Sequence, residues 1–212
     1  MKRLAIIGTK EFSQQILGQV EIAGEYDVVG YFDDLTPRGT LISGRPVLGM
    51  VCDAPALYDK GQFDYIFIAV GYTRFDLREK FYDSVKGRIP LANIIMPGAI
   101  VSEKASIGEG VFIGSGSNIG DGCTVDDNVF MWGDCIIAHD NHIGKHTYLS
   151  GRIDTAGFCS IGERCFVGVR ALFSDHISVC NDAWIGIGCI VIKNIKDPGK
   201  YMSPSAKLYK IE

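Results

Sequence analysis

Residues 101–150, VSEKASIGEGVFIGSGSNIGDGCTVDDNVFMWGDCIIAHDNHIGKHTYLS, set a large apolar side chain at every sixth position, and the phase holds to residue 191. Counted from Val101, the series is Ile107, Ile113, Ile119, Val125, Met131, Ile137, Ile143, Leu149, Thr155, Ile161, Val167, Phe173, Val179, Ile185 and Val191. Fifteen of these sixteen anchors are apolar, which at 47% hydrophobic composition occurs by chance in a fixed phase roughly once in ten thousand. The residue two before each anchor is usually small, as at Ala99, Ser117, Cys123, Cys135, Thr147, Cys159 and Ala171. A glycine directly follows seven anchors, at 108, 114, 120, 144, 162, 168 and 186.

The physical reading is one inward anchor per six residues, a small side chain at a crowded corner, and glycine where the backbone turns unusually. Three such segments close a triangular coil, and hexapeptide repeats of this kind are a β-helix signature. The pattern predicts a left-handed parallel β-helix over 94–196, followed by a tail over 197–212. Thr155 is expected to face the core with its hydroxyl bonded to a backbone carbonyl of a neighbouring coil, since an unpaired buried hydroxyl is costly.

Working back from the repeat, residues 1–93 have a different period. RLAIIG (3–8), YDVVGYFDD (26–34) and DYIFIAVG (64–71) read as buried strands, with helices expected from about Phe12 to Ile22 and over 75–85. Alternating strands and helices predict a small Rossmann-like parallel sheet. Ligands of such sheets sit beyond the carboxyl ends of the strands. Those ends carry Gly8, Thr9 and Lys10, then Asp33 and Asp34, then Gly71 and Tyr72.

The bulk numbers narrow the function classes. A net charge of −4 offers no basic surface and argues against nucleic acid as a partner. The opening MKRLAIIGTKEF has only a five-residue apolar run, too short for a signal peptide or a membrane span, so a cytoplasmic protein is expected. The seven cysteines form no CxxC pair and no zinc-type spacing. They read as reduced thiols, most of them small core fillers.

A βαβ domain ahead of an unbroken hexapeptide helix resembles the two-domain bacterial sugar acyltransferases. That family includes sialic-acid O-acetyltransferases and nucleotide-aminosugar N-acetyltransferases. The likeness is carried by IIG (6–8), GYFDD (30–34), AVG (69–71), IIAHD (136–140), the repeat, and YMSPSAK (201–207). It implies a homotrimer with acetyl-CoA lying in the groove between neighbouring subunits and a nucleotide-linked sugar held by the first domain. Many members carry a histidine in a Gly-rich first loop, where this chain has Gly8-Thr9-Lys10-Glu11-Phe12-Ser13. Phosphate contacts here would fall to backbone N–H groups at the helix start and to Lys10.

Acetyl transfer needs a proton removed as the nucleophile attacks, a task suited to histidine near neutral pH. By the resemblance, His139 is the general base and Asp140 its support. Adjacent strand residues point to opposite faces, so the pair can cooperate only at a corner. Some members have a second histidine nine residues on, in contact with the acetyl thioester, and Tyr148 stands at that place as a candidate cofactor contact. The resemblance also implies carrier contacts on later coils, and the repeat aligns Gly157, Gly168, Val169 and Ile187 as candidates. Asp33 and Asp34 could bind a ribose, but G-x-G-x-x-G is absent, so NAD is poorly supported. The resemblance assigns the pair to the nucleotide base instead.

The leading expectation is an acetyl-CoA-dependent N-acetyltransferase acting on a nucleotide-linked aminosugar, with no metal. An O-acetyltransferase acting on a sialic-acid-like sugar is the alternative. A zinc hydratase, suggested by His142 and His146, and a scaffold that only binds a nucleotide sugar, are weaker readings. His176 is expected to be structural or a surface residue.

Overall fold

The structure is a computed structural model that describes residues 1–204. The first ninety residues form a five-stranded sheet in the order β3-β4-β2-β1-β5, using β1 (Lys2–Ile7), β2 (Tyr26–Phe32), β3 (Leu41–Ile42), β4 (Arg45–Gly49) and β5 (Tyr65–Ile68). All neighbours are parallel except β3 and β4, which form a hairpin. Its turn places Ser43 and Gly44 at positive φ, 48° and 78°, as a two-residue hairpin connection requires. This hairpin adds two strands that the sequence pattern did not single out. Helix α1 (Glu11–Ala23) ends at Gly24, whose left-handed backbone sends its N–H to the Val20 carbonyl at 3.0 Å. Short α2 (Ala54–Asp59) precedes β5, and α3 (Phe75–Val85) follows it.

From Ile94 the chain winds into a left-handed parallel β-helix with three faces, each a ladder of mostly two-residue strands. Partners along a ladder lie one coil of eighteen residues apart, as in Asn118–Ile136–Asp154–Leu172–Ile190. The anchors from Ile113 to Val191 are all buried, and Val101 and Ile107 pack against the same core. The coil continues past residue 196. Gly199–Tyr201 pairs in parallel with Ala183–Ile185, so part of the expected tail belongs to the last coil. Of YMSPSAK, residues 205–207 lie outside the described residues.

Two expectations about the repeat are corrected. The glycines after the anchors do not turn the chain through unusual backbone. A Cβ on Gly168 would come within 2.6 Å of the Ile187 nitrogen, and one on Gly120 within 2.9 Å of the Ala138 carbonyl carbon. They are glycines because successive coils approach too closely there for a side chain. The left-handed turn falls two residues later, at every sixth residue from Gly110 to Gly188, and carries Asn, Asp, His, Arg and Phe as well as glycine. Thr155 is buried as expected, at 3% exposure, but its hydroxyl has no hydrogen-bond partner among the described residues. The small corner residues do find partners, Cys123 Sγ bonding the Ala138 carbonyl and Thr147 Oγ1 that of Gly162. All seven cysteines are free; Cys52 is exposed and Cys180 half-buried.

The three outer faces differ in chemistry. One carries a ladder of rings, Phe112, Phe130, Tyr148, Phe166 and Trp184, four of whose steps are stacked. The first domain docks on it through Phe12, 5.0 Å from Phe130, and Tyr72, 4.6 Å from Phe166. Arg78 of α3, 1% exposed, reinforces the junction by donating to the Val70 and Asn128 carbonyls. The second face presents Ser106, Thr124, His142, Ser160 and Ser178. The third leaves Ile100, Ile136, Leu172 and Ile190 uncovered, the least exposed at 40%. No helix among the described residues is long and apolar enough to cross a membrane.

Candidate active site

His139 and Asp140 sit at the corner between the apolar and the polar face. Asp140 occupies a left-handed turn position, φ 55°, which swings its carboxylate beside the preceding side chain. Asp140 Oδ2 lies 2.9 Å from His139 Nδ1, so Nδ1 faces the carboxylate and Nε2 is left for a reacting group. Asn141, 1% exposed, pins this corner. Its amide donates to the carbonyls of Ala138, His139 and Ala156, and its oxygen accepts the Cys159 N–H. A polar amide in the small-residue slot two before an anchor was the signal that could have singled it out.

Gly157, expected among the carrier contacts, lies under the histidine. A Cβ there would stand 2.6 Å from His139 Cε1 and 2.7 Å from Nε2. Gly168 is accounted for by coil spacing, as described above. Val169 and Ile187 are exposed and line an open groove of about 550 Å³ with Gly133, Asp134, Gly151, Arg152 and Arg170. Tyr148 does not line that groove. It is a rung of the ring ladder, 4% exposed, with its hydroxyl accepting from Trp132 Nε1. Burial pushes that hydroxyl up to about 12.

The first domain holds a second cavity, of about 580 Å³, beyond the carboxyl ends of its strands. Gly8, Thr9, Lys10, Asp33, Asp34 and Gly71 line it, as the strand ends predicted; Tyr72 does not, because it turns onto the ring ladder. Gly8 adopts φ 109° with the Ala69 carbonyl 2.8 Å from where a Cβ would be, so no side chain fits. Thr9 Oγ1 donates to Asp33 Oδ2 at 2.9 Å, and the N–H groups of Leu35 and Thr36 bond Asp33 Oδ1. Burial opposes ionisation of Asp33, yet these bonds outweigh it and hold the carboxyl below the usual carboxylate range. Asp34 accepts the Val51 N–H through Oδ1. Thr73 and Arg74 also line the cavity, and the sequence reading passed over both. Arg74 and Lys10 put positive charge beside the N-terminus of α1, an anion-favouring arrangement.

The remaining histidines are held apart. His142 Nε2 bonds Asp126 at 2.9 Å on the polar face. His146 is buried at the domain junction with Nδ1 against Asn128, and burial, aided by the Arg78 charge, pushes it down to about 4. His176 is exposed and stacks on Phe158. Neither cavity is lined by His139, so one chain does not bring that histidine and the first-domain cavity together.

This architecture defines a two-domain hexapeptide-repeat protein, and its neighbours bear out the family resemblance read from the residues. No protein-family model matches the chain. Over 75 residues it is 44% identical to UDP-3-O-acylglucosamine N-acyltransferase of Bordetella avium, covering 35% of this chain and 19% of that enzyme. The match therefore spans about a fifth of that relative's length. PerB from Caulobacter crescentus, in complex with CoA and GDP-perosamine, superposes with a TM-score of 0.82 at 26% identity, over 96% of this chain and 95% of that one. A histidine-to-alanine variant of that GDP-perosamine N-acetyltransferase, also bound to CoA and GDP-perosamine, superposes with a TM-score of 0.83. The acetyltransferase domain of PglB from Neisseria gonorrhoeae, in complex with acetyl coenzyme A, shares the fold with a TM-score of 0.84 at 24% identity, over 95% and 96% of the two chains.

Proposed function

We propose that this protein is an acetyl-CoA-dependent N-acetyltransferase acting on a nucleotide-linked aminosugar. The observation that carries the reading is the corner pair, a histidine whose Nδ1 is held by Asp140 while Nε2 stays open. The likeness to PerB, crystallised with CoA and GDP-perosamine, supports the substrate class.

In this reading the acceptor amine attacks the thioester carbonyl carbon while His139 Nε2 takes its proton. Asp140 keeps the imidazole in the productive tautomer and stabilises the imidazolium. Collapse of the tetrahedral adduct forms the amide and expels the CoA thiolate, which receives the proton back from His139. The nucleotide lies in the first-domain cavity with its phosphates at the start of α1, near Lys10 and Arg74, and its base by Asp33 and Asp34. The pantetheine arm follows the groove at Val169 and Ile187.

The working unit is a homotrimer. Support comes from the uncovered apolar face and from the separation of His139 from the nucleotide cavity within one chain. Both substrates belong to the cytoplasm, where we place the protein. The deciding experiment is an acetyl-CoA consumption assay against UDP-, dTDP- and GDP-linked amino sugars. Turnover of one of them is expected, and none with any of the panel overturns the assignment.

A further inference from the structure

We propose that Phe158 is a positioning residue that fixes the orientation of the His139 imidazole, a role that rests on His139 being the base. Phe158 occupies one of the left-handed turn positions, φ 59°. Along the whole series from Gly110 to Gly188 the other occupants are glycine or polar, and Phe158 is the single large apolar side chain. A bulky aromatic in this backbone region is an outlier. The fold does not ask for it, since Asp140 and His176 fill the equivalent slots one coil before and one coil after. The ring is 50% exposed and adds nothing to the helix core.

Its contacts account for it. The Phe158 and His139 ring centroids are 5.1 Å apart with the planes at 88°, an edge-to-face arrangement. On its other side Phe158 stacks on His176 at 4.8 Å and 6°, which keeps it from turning away. Gly157 supplies the floor, because the imidazole lies where its Cβ would be. Asp140 supplies the tether at Nδ1. With floor, wall and tether in place, an otherwise exposed histidine has one orientation, and Nε2 alone faces the acceptor.

The test uses the full chain as wild type, Phe158→Ala, Phe158→Tyr and His139→Ala, assayed with acetyl-CoA and the sugar nucleotide turned over fastest. Beside the kinetics, ¹H–¹⁵N spectra of the imidazoles are recorded, with His139 assigned from the His139→Ala difference. For Phe158→Ala the expected result is kcat lower by about 10- to 100-fold, the cost of a misplaced group, with both KM values within about twofold. The His139 signals should move from one tautomer towards a mixture, and Phe158→Tyr should restore rate and spectrum. An unchanged kcat and spectrum in Phe158→Ala overturns the proposal. So does a raised sugar KM at unchanged kcat, which would make Phe158 an acceptor contact instead. If His139→Ala matches wild type, the assignment of the base fails, and the spectra still report whether Phe158 orients the ring.

Discussion

Asp140 reaches Nδ1 of His139, its neighbour in sequence, at 2.9 Å because the backbone passes through a left-handed residue at Asp140 itself. In an extended strand the two side chains would point to opposite faces. The corner thus turns a consecutive pair into a cooperating one. His139→Ala is expected to lower kcat by about 10²–10⁴-fold, the usual share of a general base. Acetyl-CoA affinity, measured by calorimetry, should change little. Asp140→Asn should cost less, and His142→Ala should stay within about tenfold of wild type, because His142 bonds Asp126 on another face.

Arg74 lies in the first-domain cavity with its guanidinium paired, among the described residues, to exposed Asp76 alone, 2.8 Å away. Arg74→Ala should raise KM for the sugar nucleotide by about tenfold, the worth of roughly one charge-assisted hydrogen bond, and leave KM for acetyl-CoA unchanged. Equal changes in both would remove Arg74 from the phosphate site.

Thr155 buries an unpaired hydroxyl in the β-helix core. Thr155→Val keeps the shape and removes the polar atom. The melting temperature should rise, reflecting a gain of about 1–3 kcal/mol, the desolvation cost of such a group. A lower melting temperature would mean that the hydroxyl has a partner in solution.

His146 is buried neutral, and its folded pKa, about 4, lies below the unfolded value near 6.5. The unfolded chain therefore binds a proton that the native one refuses, so stability is complete above about pH 6.5 and falls as pH drops towards 4. The loss should reach up to about 3 kcal/mol and be absent from that window in His146→Gln. Urea titrations of both proteins at pH 7 and pH 5 measure it.

Ile136 and Leu172 are outward positions two coils apart on the apolar face, on either side of Asp154, and are 52% and 40% exposed. Ile136→Glu together with Leu172→Glu should shift the light-scattering mass from three chains to one and abolish turnover. An active single chain would contradict both the trimer and a site shared between chains.

The β-helix was legible because its anchors repeat without interruption, and the buried series from Ile113 to Val191 follows the count residue by residue. The turning residues were misplaced because glycine at 108, 114 and 120 suggests backbone freedom, whereas coil spacing is what requires it. The hairpin at Leu41–Gly49 was passed over because its strands are short and one contains Pro46. In the site, the strand-end residues Gly8, Thr9, Lys10, Asp33, Asp34 and Gly71 gather around one cavity, as the alternating pattern led one to expect. Tyr72 and Tyr148 do not, because their rings serve the contact between domains, and a one-dimensional pattern cannot tell an aromatic that meets a ligand from one that meets a neighbouring domain. Phe158 gave no signal of its own, since its meaning depends on a backbone angle and a neighbour on the preceding coil.

The eighteen-residue ladder also bears on how such a gene can change length. An insertion or deletion of eighteen codons between residues 113 and 136 would add or remove one whole turn and leave every later inward residue inward. Six or twelve codons would also keep the anchors inward but would carry His139 and Asp140 to a different corner, and a length that is not a multiple of six would turn the anchors out of the core. With its corner kept, His139 can therefore move along the helix axis only in steps of one strand spacing, about 4.8 Å.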